Sequence, residues 1–184
     1  MSRRLAIALV HHPVLDARGE VVTTALTNMD VHDLARSATT YGCSDFFVVH
    51  PVEAQREMVR RIVEHWTLGS SAKRIPDRKD ALAIVRDVAT LAEAEAALGG
   101  DGPVEVWVTA AREVGTSLRW DEGRRALASD GPPVLLVFGT GWGLAPAVIS
   151  GAARVLEPIY GTGPFNHLSV RSACAIALDR LRAR

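Results

Sequence analysis

The sequence predicts an α/β fold with a parallel sheet flanked by helices, and two observations carry that expectation. Apolar runs bounded by turn residues recur at 5–10, 45–49, 104–110, 134–138 and 154–159. The segments between them show helical rather than alternating spacing, and such strand–helix alternation builds a parallel sheet. A chain of 184 residues suits one domain spanning 1–184 with a single core.

Taken in order, Leu5–Val10 follows Met1–Arg4 at once and ends in His11-His12-Pro13 without a small-residue cleavage site, so it reads as a buried first strand. A helix is expected over about 29–41: Val31, Leu34, Ala35, Ala38 and Tyr41 form one stripe, Thr27 or Asn28 can cap its start, and Gly42 can end it. After His50-Pro51, Val52–Trp66 is helical in pattern, with Val59, Ile62, Val63 and Trp66 inward and Arg56, Arg60 and Arg61 on an outer, basic face. Residues 67–76, with Gly69, Ser70, Ser71 and Pro76, have loop composition. The Ala-rich, acidic stretch Asp80–Leu98 reads as one helix ended by Gly99-Gly100. The last helix is expected from about His167 to Arg182, with Val170, Cys174, Ala177 and Leu181 on one stripe and enough small residues to pack closely on another helix.

Composition narrows the function classes. No apolar run approaches the roughly 20 residues a membrane helix needs, so no membrane partner is expected and a cytoplasmic location is. Cys43 and Cys174 stand far apart with no metal-ligand spacing, which reads as two free buried thiols and no metal site. The formal net charge of zero argues against holding nucleic acid by bulk charge. Residues 54–79 carry seven cations (Arg56, Arg60, Arg61, Lys73, Arg74, Arg78, Lys79) against three anions, a local basic surface.

The chemistry-bearing residues lie at strand ends. Phe138-Gly139-Thr140-Gly141-Trp142-Gly143-Leu144 follows the run Val134–Val137, and glycine there lets backbone approach a ligand closely. Its GxGxG spacing and its place after the fourth strand do not fit the dinucleotide fingerprint. A tight turn without ligand would explain the glycines alone. Leu156–Gly161 and Asn166–Ala173 add a second strand end, a loop and a helix start that could enclose a small ligand with it; Asn166 or Ser169 could equally cap the last helix. His11, His12 and His50 also stand at strand ends and are candidates to support a site.

Thr27-Asn28-Met29-Asp30-Val31-His32-Asp33-Leu34-Ala35-Arg36, then Phe138–Leu144, then Leu156–Leu181 resemble the three ordered motifs of SPOUT RNA methyltransferases. More closely, with His11–Arg36 as hallmark, the chain resembles a bacterial S-adenosylmethionine (SAM)-dependent family related to knotted tRNA guanine-N1 methyltransferases, over nearly its whole length. The resemblance implies a C-terminal trefoil knot, a homodimer, SAM as cofactor and tRNA or rRNA as substrate. It places the cofactor against Thr109, Phe138, Gly139, Thr140, Gly141, Gly143, Glu157, Pro158, Ile159, Gly161, Asn166, His167, Leu168 and Ser169. The chain departs from the pattern at Thr140 and Trp142, where many relatives carry a glutamate, so no role of that glutamate transfers.

Methyl transfer from a sulfonium is an in-line displacement, so a positioned cation and a base suffice. Arg36 matches the arginine of the first motif. Helical spacing puts Asp33 and His32 three and four residues before it, within expected reach of its guanidinium. The catalytic expectation is therefore Arg36 as anchor for a phosphate or ribose, with Asp33, Asp30 or His32 taking the proton and Asn28 beside them. A SAM-binding regulatory or scaffold module without catalysis is the alternative. Hydrolase and phosphoryl-transfer readings lack their motifs.

Overall fold

The computed structural model describes residues 2–68 and 76–183. Strand β1 (Leu5–Val10) is buried along its whole length. Both of its faces are covered, which is why it reads as an unbroken apolar run rather than an alternating one. A short antiparallel hairpin, β2 (Val14–Leu15) with β3 (Val21–Val22), leads into helix α1 (Asn28–Thr40) and strand β4 (Phe46–Val49). Helices α2 (Glu53–Thr67) and α3 (Pro76–Leu82), strand β5 (Val85–Val88), helix α4 (Leu91–Gly99) and strand β6 (Glu105–Val108) follow. The chain ends with α5 (Trp120–Ala128), β7 (Val134–Gly139), α6 (Pro146–Ser150), β8 (Arg154–Val155) and α7 (Val170–Arg182).

Six strands form one parallel sheet in the order β5-β4-β1-β7-β6-β8. Leu5, Ile7 and Leu9 of β1 face a layer holding Leu34 of α1, Val59 of α2, Leu82 of α3, Leu127 of α5 and Cys174, Ala177, Leu178 and Leu181 of α7. On the opposite face, Ala6, Ala8 and Val10 pack with Ala94 and Leu98 of α4 and with Val148 and Ile149 of α6. Thr27 caps α1, its hydroxyl accepting from the Asp30 amide at 3.3 Å. Ser169 caps α7 by accepting from the Ser172 amide at 3.2 Å, which leaves Asn166 for another task.

Several sequence expectations change. The helix expected over Asp80–Leu98 is broken by β5, which pairs in parallel with β4 from Phe46↔Val85 to Val49↔Val88. This is an edge strand carrying Arg86 and Asp87, tied by ion pairs to Asp45 at 2.6 Å and to Arg60 at 2.6 Å. Pairing with β4 overrides the helix propensity of the surrounding alanines. The strand expected at 154–159 shrinks to Arg154–Val155, and α5, α6 and the β2–β3 hairpin were not foreseen. Loop residues Gly69, Ser70 and Ser71, and the cations Lys73 and Arg74, lie outside the described residues.

The small side chains of α7 are used within the chain, against α1 and α5. Cys43 and Cys174 are free and buried. Burial pushes the Cys43 thiol up to about 12 and raises Cys174 as well, so neither forms a thiolate readily. Among the described residues no helix is long and apolar enough to cross a membrane, and no cluster of His, Cys, Asp and Glu could hold a metal ion.

Candidate functional site

Three loops gather at the carboxyl ends of β6, β7 and β8, where open α/β sheets bind ligands. The first begins at Thr109, whose amide and hydroxyl both donate to the Val137 carbonyl, at 3.1 and 3.0 Å. The third, following β8, is tied to it twice: Asn166 Nδ2 donates to the Ala111 carbonyl at 3.0 Å, and the Tyr160 hydroxyl to Glu113 at 2.7 Å. Glu157 accepts from the Trp120 amide at 2.7 Å, so its carboxylate caps α5, and its own amide donates to the Leu118 carbonyl at 2.9 Å, which leaves its carbonyl and second carboxylate oxygen to a ligand. Leu156 and Pro158 are buried beneath this segment, Ile159 is half-buried, and Gly161 and Leu168 are exposed.

Between them runs the glycine turn. Phe138 is buried beneath it, while Trp142 is exposed and its ring lies 6.4 Å from that of His167. Gly141 has φ 59°, and a Cβ there would stand 2.8 Å from the Leu15 carbonyl oxygen. A Cβ on Gly139 would meet the Leu144 amide nitrogen at 2.8 Å. Both glycines are thus required by the close approach of neighbouring backbone, independently of any ligand. Gly143, at φ 110°, has open space where its side chain would be, so its backbone conformation rather than crowding calls for glycine; its amide donates to the Thr140 carbonyl and its carbonyl accepts from the Leu15 amide.

The other half of the site is a groove of about 520 Å³ between α1 and α7, lined by Asp33, Arg36, Ser37, Thr40 and Tyr41 on one side and by Ser169, Arg171, Ser172 and Ala175 on the other. Arg36 is exposed there; its backbone carbonyl accepts from the Thr40 hydroxyl at 2.8 Å, and its guanidinium makes no hydrogen bond or ion pair with another described residue. Asp33 does not pair with Arg36 as its spacing suggested. It accepts from Arg171 at 3.2 Å, and Asp30 lies 3.4 Å from the same guanidinium. His32 is turned away from the groove toward Trp66, ring centroids 5.5 Å apart. Burial, then the nearby Arg78, lowers its pKa. Asn28, first residue of α1, is exposed and free of the capping duty that Thr27 performs.

A family model described as SAM-dependent RNA methyltransferase matches residues 4–183. The chain belongs to this family. A tRNA (guanine-N(1)-)-methyltransferase of Nitratidesulfovibrio vulgaris is 42% identical over 98% of the chain. The match takes up 42% of that relative, so the chain spans about two fifths of its length. An uncharacterized protein of Aquifex aeolicus is 36% identical over 100% of the chain and 91% of its own length. Among solved structures, a probable methyltransferase of Bordetella pertussis shares the fold with TM-score 0.65 and 19% identity, over 98% of this chain and 95% of that one. The SpoU methyltransferase AviRb of Streptomyces viridochromogenes, solved with AdoMet, does so at TM-score 0.55 and 14% identity, over 98% of this chain and 57% of that one. The SPOUT resemblance of the three motifs therefore extends to the fold.

For a member of an RNA methyltransferase family, the basic face expected on α2 is a poor phosphate surface. Arg56 pairs with Glu53, Arg60 with Glu53, Glu57 and Asp87, and Arg61 with Glu57. The sequence count included Glu57 but missed Glu53, one residue before the window, and Asp87, which arrives from β5.

The sequence also left His11, His12 and His50 without partners. His11 and His50 end adjacent strands with ring centroids 5.2 Å apart, and both are buried. His11 Nδ1 lies 3.0 Å from the Thr24 hydroxyl, which in turn is bonded to the Thr140 hydroxyl of the glycine turn. His50 Nε2 lies 3.0 Å from the Thr24 carbonyl oxygen. Burial, and behind it the facing His50, lowers His11 to about 4, and burial lowers His50 too. His12 is exposed and bonds the Thr23 hydroxyl at 3.0 Å. Only the strand-end positions of these histidines signalled this cluster, since Thr24 and Thr140 reach it from elsewhere in the sequence.

Proposed function

We propose that this chain transfers the methyl group of SAM to a nucleotide of RNA. The substrate is tRNA, with rRNA the alternative, and the acceptor is a guanine N1 on the strength of the relatives' names. One observation carries the reading: in a chain of this family, the loops after β6, β7 and β8 converge beside Arg36, whose guanidinium has no partner among the described residues. Backbone groups of Gly139–Gly143, Glu157–Gly161 and Asn166–Ser169, with Thr109, hold the cofactor. When bound, SAM supplies an electrophilic methyl group on a sulfonium. Arg36 grips a phosphate of the RNA, a task suited to a guanidinium with no carboxylate of its own. Asp30 and Asp33, held by Arg171, stand where they can take the acceptor's proton, and Asn28 lies next to them at the start of α1. His32, packed on Trp66, has no step.

The same reading covers the topology and assembly. Residues 1–184 form one methyltransferase domain, and the segment after β8 is threaded through the loop 109–119 as a trefoil knot. Supporting this, Val155 packs on the α4–α6 face whereas Leu156 and α7 lie on the other. On the way, Val155 accepts from the Leu118 amide at 2.6 Å and the Glu157 amide donates to Leu118 at 2.9 Å. A homodimer covers the exposed side chains beside the cleft, Phe165 at 80% and Trp142 at 60% exposure. The setting is cytoplasmic, in keeping with two free thiols.

Incubation with labelled SAM and tRNA or rRNA lacking its own methylation tests the reading. Label in RNA that is lost when SAM is withheld supports it. Saturable SAM binding without transfer to either RNA would instead support the regulatory or scaffold module, a reading favoured by one fact: the chain matches only 42% of the named tRNA methyltransferase.

A further inference from the structure

The buried cluster beneath the glycine turn has a determinable proton order. Thr140 Oγ1 lies 3.1 Å from the Val10 carbonyl oxygen, which can only accept, so in the fully satisfied arrangement the Thr140 proton goes there. Its oxygen then accepts from the Thr24 hydroxyl. Thr24, having given its proton to Thr140, accepts from His11, which must carry its hydrogen on Nδ1. The opposite order would leave a buried N–H on His11 Nε2, an atom with no hydrogen-bond partner among the described residues. His50 takes the other tautomer. Its Nδ1 accepts from the Val52 amide at 3.1 Å, so Nε2 carries the hydrogen donated to the Thr24 carbonyl.

Thr24 is thereby held on every polar group: its amide donates to the His11 carbonyl at 3.0 Å, its carbonyl accepts from His50, and its hydroxyl lies between His11 and Thr140. Its methyl group also supports the turn, lying 3.4 Å from where a Cβ of Gly141 would be. Two residues on, the Leu26 amide donates to Gln55 at 2.8 Å, and α1 begins directly after.

We propose that Thr24 is a positioning residue of the methyl transfer, locking the glycine turn to the segment that carries Asn28–Arg36 through the ordered chain His11 Nδ1–H, Thr24, Thr140, Val10 carbonyl. The proposal rests on the reading of Gly139–Gly143 as the cofactor turn. The turn follows β7, and the groove residues of the first motif follow Thr24 within one helix. A displacement reaction needs donor and acceptor aligned to a fraction of an ångström, and this chain of hydrogen bonds is a direct mechanical link between the two sides. Thr140 thus has a role that needs no contact with substrate, at a position where the SPOUT pattern offered none to transfer.

Two measurements on the full chain test it. Nitrogen NMR of the wild-type histidines is expected to find His11 protonated on Nδ1 and His50 on Nε2. A proton on His11 Nε2 would overturn the order. Second, Thr24→Val keeps the shape and removes the hydroxyl, whereas Thr24→Ser keeps the hydroxyl. In Thr24→Val, amide exchange at Thr140, Trp142 and Gly143 is expected to rise about tenfold and the Kd for SAM to rise about tenfold, with Thr24→Ser within about twofold of wild type in both. Exchange that rises evenly over the whole sheet, or turn exchange and SAM affinity unmoved in Thr24→Val, would overturn the positioning role. Wild-type protein that binds no SAM would overturn the cofactor reading of the turn, while turn-specific exchange in Thr24→Val would still uphold the mechanical link.

Discussion

Arg36 on α1 and the Arg56–Arg60–Arg61 group on α2 are all helix arginines that the sequence offered to RNA, the first as a motif anchor and the others as a basic face, yet the fold puts them in opposite situations. Arg56 and Arg60 are engaged by Glu53, Glu57 and Asp87 and Arg61 by Glu57, and the hydrogen bond to Glu53 is the main reason Arg60 holds its proton even more tightly than usual. Arg36 lines a hydroxyl-rich groove while the carboxylates nearest it in sequence, Asp33 and Asp30, are engaged by Arg171 from α7. A charge count locates cations, but only the fold shows which of them can still meet a phosphate. The long-range pair Asp33–Arg171 leaves the Arg36 guanidinium without a partner among the described residues.

The largest effect expected from this contrast is on turnover. Arg36→Ala is expected to lower methyl transfer by about a hundredfold or more with the SAM Kd within about twofold of wild type, measured by single-turnover transfer and calorimetry. Equal losses in both quantities would place Arg36 in the cofactor site instead.

Next in size is an acid sensitivity that belongs to neither helix face. His11 titrates near 4 in the folded chain, below the ordinary 6.5, so between these values the unfolded chain binds more protons than the folded one. Stability is therefore full above about pH 6.5 and is lost as the pH falls toward 4, by up to about 3 kcal/mol for this one group. Urea unfolding at about pH 7 and about pH 4.5 should show the loss, and His11→Asn, which keeps a donor near the Nδ1 position, should flatten it. A slope unchanged in the variant would assign the sensitivity to another group.

Smaller still is the effect of Arg171→Ala, which frees Asp33 to approach Arg36. Turnover is expected to fall about tenfold, and Arg171→Lys to recover part of it. Activity equal to wild type in Arg171→Ala would show that methyl transfer does not depend on the ion pairs that hold Asp30 and Asp33. The smallest effect closes the comparison: Arg60→Ala is expected to change RNA affinity by less than about twofold, because its charge is already spent on three carboxylates. A tenfold loss there, by filter binding at fixed salt, would reinstate α2 as an RNA surface.

Much of the fold was legible because local pattern and tertiary role agree. In α1, the stripe Val31, Leu34, Ala35 and Ala38 is buried as its spacing required, and Thr27 is the cap. In β5, Val85-Arg86-Asp87-Val88 forms a strand only because β4 offers it an edge, and no periodicity within an alanine-rich stretch announces that. The convergence of the loops after β6, β7 and β8 was legible from ordered motifs, and the glycines marked the tight turn. Not legible were the partners: Asp33 joining Arg171 and Thr24 joining Thr140 span 138 and 116 positions of sequence. Spacing on one helix could suggest Asp33 for Arg36, but a competitor arriving from α7 won.

The most direct test of the central claim is transfer of labelled methyl from SAM to tRNA by the wild-type chain alongside Arg36→Ala and Arg60→Ala. Strong labelling is expected from wild type and from Arg60→Ala, and labelling about a hundredfold weaker from Arg36→Ala. Labelling that survives in Arg36→Ala and fails in Arg60→Ala would contradict the claim.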